Sequence, residues 1–241
     1  MLKNLMMGAA AVALSVTAMT GSANALVIDT FETGLSAGAI VLMSGSTTDL
    51  SAGAGILGGD RELLLSHTGT PGTGTVSASV GGGIFTHGNT LTTGESLLRW
   101  DGTGGTTAGR EYGLGDVDLT VGGGIAIHIK AIGADLITPT QSTVTLTVYT
   151  DADSYSTFTV NLPQGDSDHY VSFAALAAIV SGATAVDLTH VNAIELLAIG
   201  QESFDVGIDI IETVNVPEPA SMTLLGAGLM GLGYFGKRRK A

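Results

Sequence analysis

Gly124–Ile132 (GIAIHIKAI) and Thr143–Thr150 (TVTLTVYT) are the two stretches whose reading decides the fold. In both, apolar and polar residues alternate, and a period of two turns one side of a β-strand toward a core and the other toward solvent. Ile125, Ile127 and Ile129 share the core-facing side, while His128 and Lys130 stand opposite with Ala126. Val144, Leu146 and Val148 oppose Thr143, Thr145, Thr147 and Tyr149 in the same way. These strands predict a sheet with a polar face bearing His128, Lys130 and Tyr149, either a plain solvent face or a ligand face.

The same texture extends through the body of the chain. Strands are expected over 26–29, 39–43, 61–67, 73–80, 83–87, 96–101, 117–121, 124–132, 143–150, 155–162, 170–173, 191–199 and 204–213. Glycine clusters such as Gly81-Gly82-Gly83 and Gly122-Gly123-Gly124 supply the breaks between them. Ala174–Val180 (AALAAIV) contains no Gly, Pro or turn residue and predicts one short helix. So many strands bury their apolar faces most simply as two packed antiparallel sheets, an all-β sandwich. No internal repeat points to a propeller or solenoid.

The termini carry addresses rather than fold. Residues 1–25 have a cationic start at Lys3, an apolar run over Leu5–Met19 and a small-x-small site at Ala23 and Ala25, which is the pattern of a signal peptide cut by signal peptidase. The last stretch, 214–241, holds Val216, Pro217, Glu218, Pro219, Ala220 and Ser221, an uncharged run Met222–Phe235, and the cations Lys237, Arg238, Arg239 and Lys240. The prolines impose extended backbone, so a helix begins only after them. Fourteen helical residues reach about 21 Å, short of a hydrocarbon core of about 30 Å. The basic cluster acts as a membrane stop held on the cytoplasmic side. Taken alone, these residues also suit a one-span anchor or a hydrophobic C-terminal helix of the fold. Together, Pro217-Glu218-Pro219, the apolar helix and the basic end resemble the PEP-CTERM sorting signal of exported bacterial proteins. The resemblance implies an exosortase as partner, transient membrane insertion and removal of the helix. It also implies export through the inner membrane of a Gram-negative bacterium to the cell surface or the exopolysaccharide matrix.

Between those signals lies one expected domain, 26–213. Four cations, Arg61, Arg99, Arg110 and Lys130, face 21 carboxylates there, a net charge of about −17. Such a body repels nucleic acid and anionic lipid, and suits divalent cations, neutral glycans or basic partners. The chain has no cysteine, which excludes disulfides and thiol catalysis.

Val27–Glu32 (VIDTFE) near the start, with Val191–Leu196 (VNAIEL) and Phe204–Ile210 (FDVGIDI) near the finish, resemble the first and last strands of galactose-binding-like jelly rolls. The resemblance implies a jelly-roll-like sandwich whose terminal strands adjoin, and a structural Ca2+ held by Glu32 and Asp209, with Asp29 or Asp205. Solvated carboxylates near strand ends are the plainer account of the same residues. Aromatic platforms for stacking sugars are sparse, with Trp100, Tyr112 and Tyr149 as the candidates. Asp151-Ala152-Asp153-Ser154 begins like a calcium loop but lacks its later glycine and glutamate, so a turn is expected. Asp60-Arg61-Glu62 reads as a local charge cluster entering a strand. The five histidines show no zinc spacing, and no G-x-S-x-G or phosphate-binding loop occurs. Three functions fit: a non-catalytic structural protein of the cell surface or matrix, a calcium-stabilised carbohydrate-binding or adhesive module, and a hydrolase of exopolysaccharide. The first requires only features present in the sequence.

Overall fold

A computed structural model describes residues 25–102, 104, 109–135 and 143–215. The chain order is β1 (Val27–Asp29), β2 (Ile40–Leu42), β3 (Ser46–Ala52), β4 (Asp60–His67), β5 (Thr75–Gly81), β6 (Ile84–Thr90) and β7 (Gly94–Trp100). It continues through β8 (Ala126–Asp135), β9 (Thr143–Tyr149), β10 (Tyr155–Asn161), β11 (Gly165–Ser172), helix α1 (Phe173–Ala178), β12 (Ala193–Gly200) and β13 (Asp205–Val214). One sheet has the order β11-β8-β13-β6-β5-β2 with β1 also on β13, and the other has the order β10-β9-β12-β7-β4-β3. Every strand pairing is antiparallel. The first and last strands adjoin, through Val27 opposite Glu212 and Asp29 opposite Ile211. This is the two-sheet sandwich with one short helix expected from the residue patterns, and its adjoining terminal strands match the jelly-roll-like arrangement that the resemblance implies.

The core lies between the sheets. Ile127, Ile129, Phe85 and Ile208 from the seven-stranded sheet meet Leu63, Leu98, Leu146, Val148 and Ile194 from the six-stranded one, all at most 1% exposed. Among the isoleucines of the opening stretch, Ile127 and Ile129 are buried, whereas Ile125 is 47% exposed because it precedes the strand.

A charged knot crosses this apolar layer. Asp29 on β1 and Arg61 on β4 belong to opposite sheets, and both side chains have no solvent exposure. Arg61 Nη1 donates to Asp29 Oδ2 at 2.9 Å and to Oδ1 at 3.2 Å, and Nη2 donates to the Thr33 carbonyl at 2.7 Å. Trp100 Nε1 donates to Asp29 Oδ2 at 2.9 Å, and the Phe31 amide donates to Oδ1 at 2.7 Å. The Arg61 guanidinium also lies over the Phe31 ring, 5.5 Å from its centroid. Asp60-Arg61-Glu62 is therefore not one surface cluster: the pleat sends Arg61 inward and its neighbours outward.

Three local expectations are corrected. Ser46–Ala52 (STTDLSA), too polar to read as a strand, forms β3, an edge strand that needs an apolar partner on one side only. The strand expected over 117–121 reduces to a single bridge between Val117 and Val191, followed by a 3-10 turn at Val121–Gly123. Asp118 Oδ1 accepts from the Thr120 amide and hydroxyl, replacing ladder hydrogen bonds with local ones. Helix α1 starts at Phe173 with Ser172 as its N-cap and ends before Val180, because Ile179 returns to extended backbone.

Burial of His87 (1% exposed), whose Nδ1 lies 2.7 Å from Ser96 Oγ, pushes its pKa down from 6.5 to about 4. The unfolded chain takes up this proton first as pH falls. Stability from the neutral ring is thus complete above pH 6.5 and lost between 6.5 and 4, a loss on the order of 3 kcal/mol. Melting curves across that range should flatten in His87→Gln relative to the parent. Arg61→Ala should lower unfolding free energy by roughly 3–5 kcal/mol, since it strands a buried carboxylate. Urea titration checks this, and pairing Asp29→Leu with Arg61→Met should recover most of the loss.

Candidate functional site

The outer face of the six-stranded sheet carries charge among leucines and threonines. Strand register places Leu50, Glu62, Arg99, Glu195, Thr147 and Thr157 in one row across all six strands. A parallel row holds Thr48, Leu64, Leu97, Leu197, Thr145 and Thr159. At an interstrand spacing of about 4.8 Å, each row runs roughly 24 Å.

Ion pairs fix the first row. Arg99 Nη1 donates to Glu62 Oε2 at 2.9 Å and Nε to Glu195 Oε1 at 2.8 Å. Arg110, on the segment that follows β7, donates through Nε to Glu195 Oε1 at 3.0 Å and through Nη2 to Oε2 at 2.7 Å. Tyr149 donates its hydroxyl to Glu195 Oε2 at 2.8 Å. The Arg110 guanidinium sits over the Tyr149 ring at 3.9 Å, and Tyr112 and Tyr155 flank that ring at 6.1 and 5.1 Å. Burial works to raise the Glu195 carboxyl, but the Arg110, Arg99 and Tyr149 hydrogen bonds outweigh it and hold the group below its ordinary value. Burial, and then the Glu195 carboxylate, push the Tyr149 phenol up.

Glu62 behaves differently. Burial first, and then the nearby Asp101 charge, push its carboxyl up despite the Arg99 hydrogen bond. Only 6% of the residue is exposed, and Oε1 has no hydrogen-bond partner among the described residues. Glu62 lines a cleft of about 120 Å3 together with Thr48, Leu63, Leu64, Leu97, Arg99 and Gly109. A carboxylate oxygen only accepts, so this cleft offers an acceptor, an Arg99 edge and an apolar floor to a ligand that donates.

The residues proposed from sequence for ligand contact, Trp100, His128, Lys130 and Tyr149, are divided among three places. Trp100 is fully buried, held on Asp29, and its ring faces no ligand. Tyr149 is on the outer face of the six-stranded sheet but only 5% exposed, beneath Arg110. His128 and Lys130 stand on the opposite outer face of the molecule, on β8. There His128 stacks on Tyr170 at 4.8 Å, Nε2 lies 2.8 Å from Asp168 Oδ1, and Lys130 donates to Asp209 at 2.6 Å. The single expected face arose from reading β8 and β9 as neighbours, when the connection between them changes sheets.

The residues named for calcium are likewise dispersed in their bonding. Asp29 is committed to Arg61, Asp209 to Lys130, and the Glu32 carboxylate lies beside Gly83 in the β5–β6 turn. Among the described residues no group of three or more His, Asp or Glu side chains gathers as a metal site. Asp151 closes the β9–β10 turn, its Oδ1 accepting from the Asp153 and Ser154 amides at 2.8 Å. Glu62, Arg99, Arg110 and Glu195 were not singled out for a site from the sequence. The available signal was Glu195 alone within AIELLAIG and Arg99 within SLLRW, charges on strands with no polar neighbours to explain them.

The Val216–Ser221 motif, the cations 237–240 and Ala23 of the signal cleavage site lie outside the described residues. Among those described, no helix is long and apolar enough to cross a membrane. No curated protein matches the chain. Among solved structures it is similar to the family 11 carbohydrate-binding module of the cellulosomal cellulase Lic26A-Cel5E of Clostridium thermocellum. That match has 10% identity and a TM-score of 0.38, covering 81% of this chain and 96% of the module. The family 11 module from the same organism in complex with a beta-1,3-1,4-mixed-linked tetrasaccharide matches at 13% identity and a TM-score of 0.38, covering 79% and 95%. At such scores the likeness carries no conclusion about ligands. The model of the PEP-CTERM protein-sorting motif matches residues 215–240, and the chain carries that motif as the C-terminal signal of an exported, exosortase-sorted protein.

Proposed function

We propose that this protein is a non-catalytic component of the cell surface or exopolysaccharide matrix, delivered by its sorting tail, which holds matrix polysaccharide on the outer face of the six-stranded sheet. The observation that carries the binding part is Glu62, which lines a cleft beside two hydroxyl-bearing rows and whose buried Oε1 has no partner among the described residues. A polyhydroxylated chain lying across the strands donates to that oxygen and meets the threonines of the rows. The absence of catalysis in this reading rests on Glu195. Both of its oxygens are engaged by arginines or Tyr149, so it is poorly placed to serve as the second working carboxylate beside Glu62. Calcium has no part in this reading.

Affinity electrophoresis of the exported, processed protein in gels cast with matrix polysaccharides should show retardation, without release of reducing ends. Thr48→Trp, which fills the cleft from the exposed strand β3, should weaken retardation at least tenfold. Migration unaffected by every polysaccharide would overturn the reading. Replacing Pro217-Glu218-Pro219 with three alanines should leave export intact and accumulate a longer, membrane-bound form. Fractionation and intact-mass measurement check this, and normal processing would remove the sorting step.

A further inference from the structure

Resting on the glycan reading above, we infer that the Glu62 cleft selects a sugar bearing a protonated amine, as in a de-N-acetylated hexosamine, over neutral and uronic-acid sugars. The missing partner of Glu62 Oε1 is a donor, and hydroxyl and ammonium groups both qualify. Charge decides between them. Arg99, which lines the cleft, is divided between Glu62 and Glu195, and Arg110 spans both oxygens of Glu195, so the charge of each cation is already answered by carboxylates. Against these two cations stand four carboxylates: Glu62, Glu195, Asp101 and Glu111. Burial and the repulsion of Asp101 and Glu111 disfavour the ionised form of Glu62, and an incoming cation offsets the repulsion.

Asp101 adds to this asymmetry. It is 2% exposed, its Oδ2 accepts from the Glu111 amide at 2.6 Å, and burial pushes its own carboxyl up. An ammonium group at Glu62 forms a charge-assisted hydrogen bond, roughly twice as strong as that of a neutral hydroxyl. A uronate carboxylate meets the same field with the opposite sign. The cleft of about 120 Å3 takes one substituent, while the sugar chain lies across the neighbouring strands. The row of Glu62, Arg99, Glu195 and Thr147 thus confers selectivity at one end and contact along its length.

The test is titration calorimetry of the exported, processed protein with three oligosaccharides at a pH where amines are protonated: glucosamine oligomers, their N-acetylated counterparts and oligogalacturonate. The glucosamine oligomer should bind at least tenfold more tightly than the acetylated one, and oligogalacturonate should not bind. Glu62→Gln should abolish that preference, so that amine and acetylated oligomers bind alike. Glu202→Gln, which removes the same charge from the exposed β12–β13 turn, should keep the preference and so separate the site from general attraction to an acidic protein. Thr48→Trp keeps Glu62 intact and serves as the second variant if Glu62→Gln does not fold. Equal affinity for amine and acetylated oligomers, or equal loss in the two glutamine variants, overturns the amine selectivity and leaves glycan binding standing. No binding of any of the three, together with no electrophoretic retardation by matrix polysaccharides, removes both.

Discussion

The sandwich depends on a single ion pair placed where an apolar core would ordinarily be continuous. Asp29 enters from the first strand and Arg61 from the opposite sheet, and each is worthless to the fold without the other. Lost solvation of two charges is offset only because almost every polar atom finds a partner: Arg61 Nη1 shared between both Asp29 oxygens, the Trp100 indole, the Phe31 amide and the Thr33 carbonyl. Arg61 Nε is the exception, buried without a partner among the described residues. Such a knot adds little net stability over hydrophobic packing, but it accepts only one relative placement of the two sheets.

That placement has a consequence for the proposed recognition face. With Arg61 drawn inward, strict alternation along β4 turns Glu62 outward, opposite Arg99 on β7 and in line with Glu195 on β12. The structural charge and the candidate binding charge are consecutive residues with opposite roles. Ion pairing through Arg99 and Arg110 then restrains Glu195 and one oxygen of Glu62, so the remaining oxygen points from a rigid row. A rigid acceptor loses little freedom on binding, which favours selectivity from a small cleft.

Period-two alternation made the sandwich legible, and it failed where local chemistry competes with it. Gly124–Ile132 and Thr143–Thr150 revealed their strands because Ile and Val recur at every second position. Ser46–Ala52 did not, because an edge strand can be nearly all polar, and Val117–Val121 misled because Asp118 supplies hydrogen bonds of its own. The site was less legible than the fold. Alternation tells which side of a strand a residue takes, but not which strands lie side by side, so His128 and Tyr149 were placed together when the chain sets them on opposite faces. Asp29 looked like a metal ligand because no pattern in the sequence announces that a residue 32 positions away turns its guanidinium inward to meet it.

All four cations of the body are bound within it: Arg61 to Asp29, Arg99 and Arg110 to glutamates, Lys130 to Asp209. The 21 carboxylates thus outnumber them with no cation held in reserve, and a second copy of the body meets a molecule of the same strongly negative net charge. At physiological ionic strength that repulsion reaches about 8 Å beyond the surface. Molecules crowded into a hydrated gel would keep a cushion of counterions and water between them, and the osmotic pressure of those counterions would swell the gel rather than let the protein condense within it.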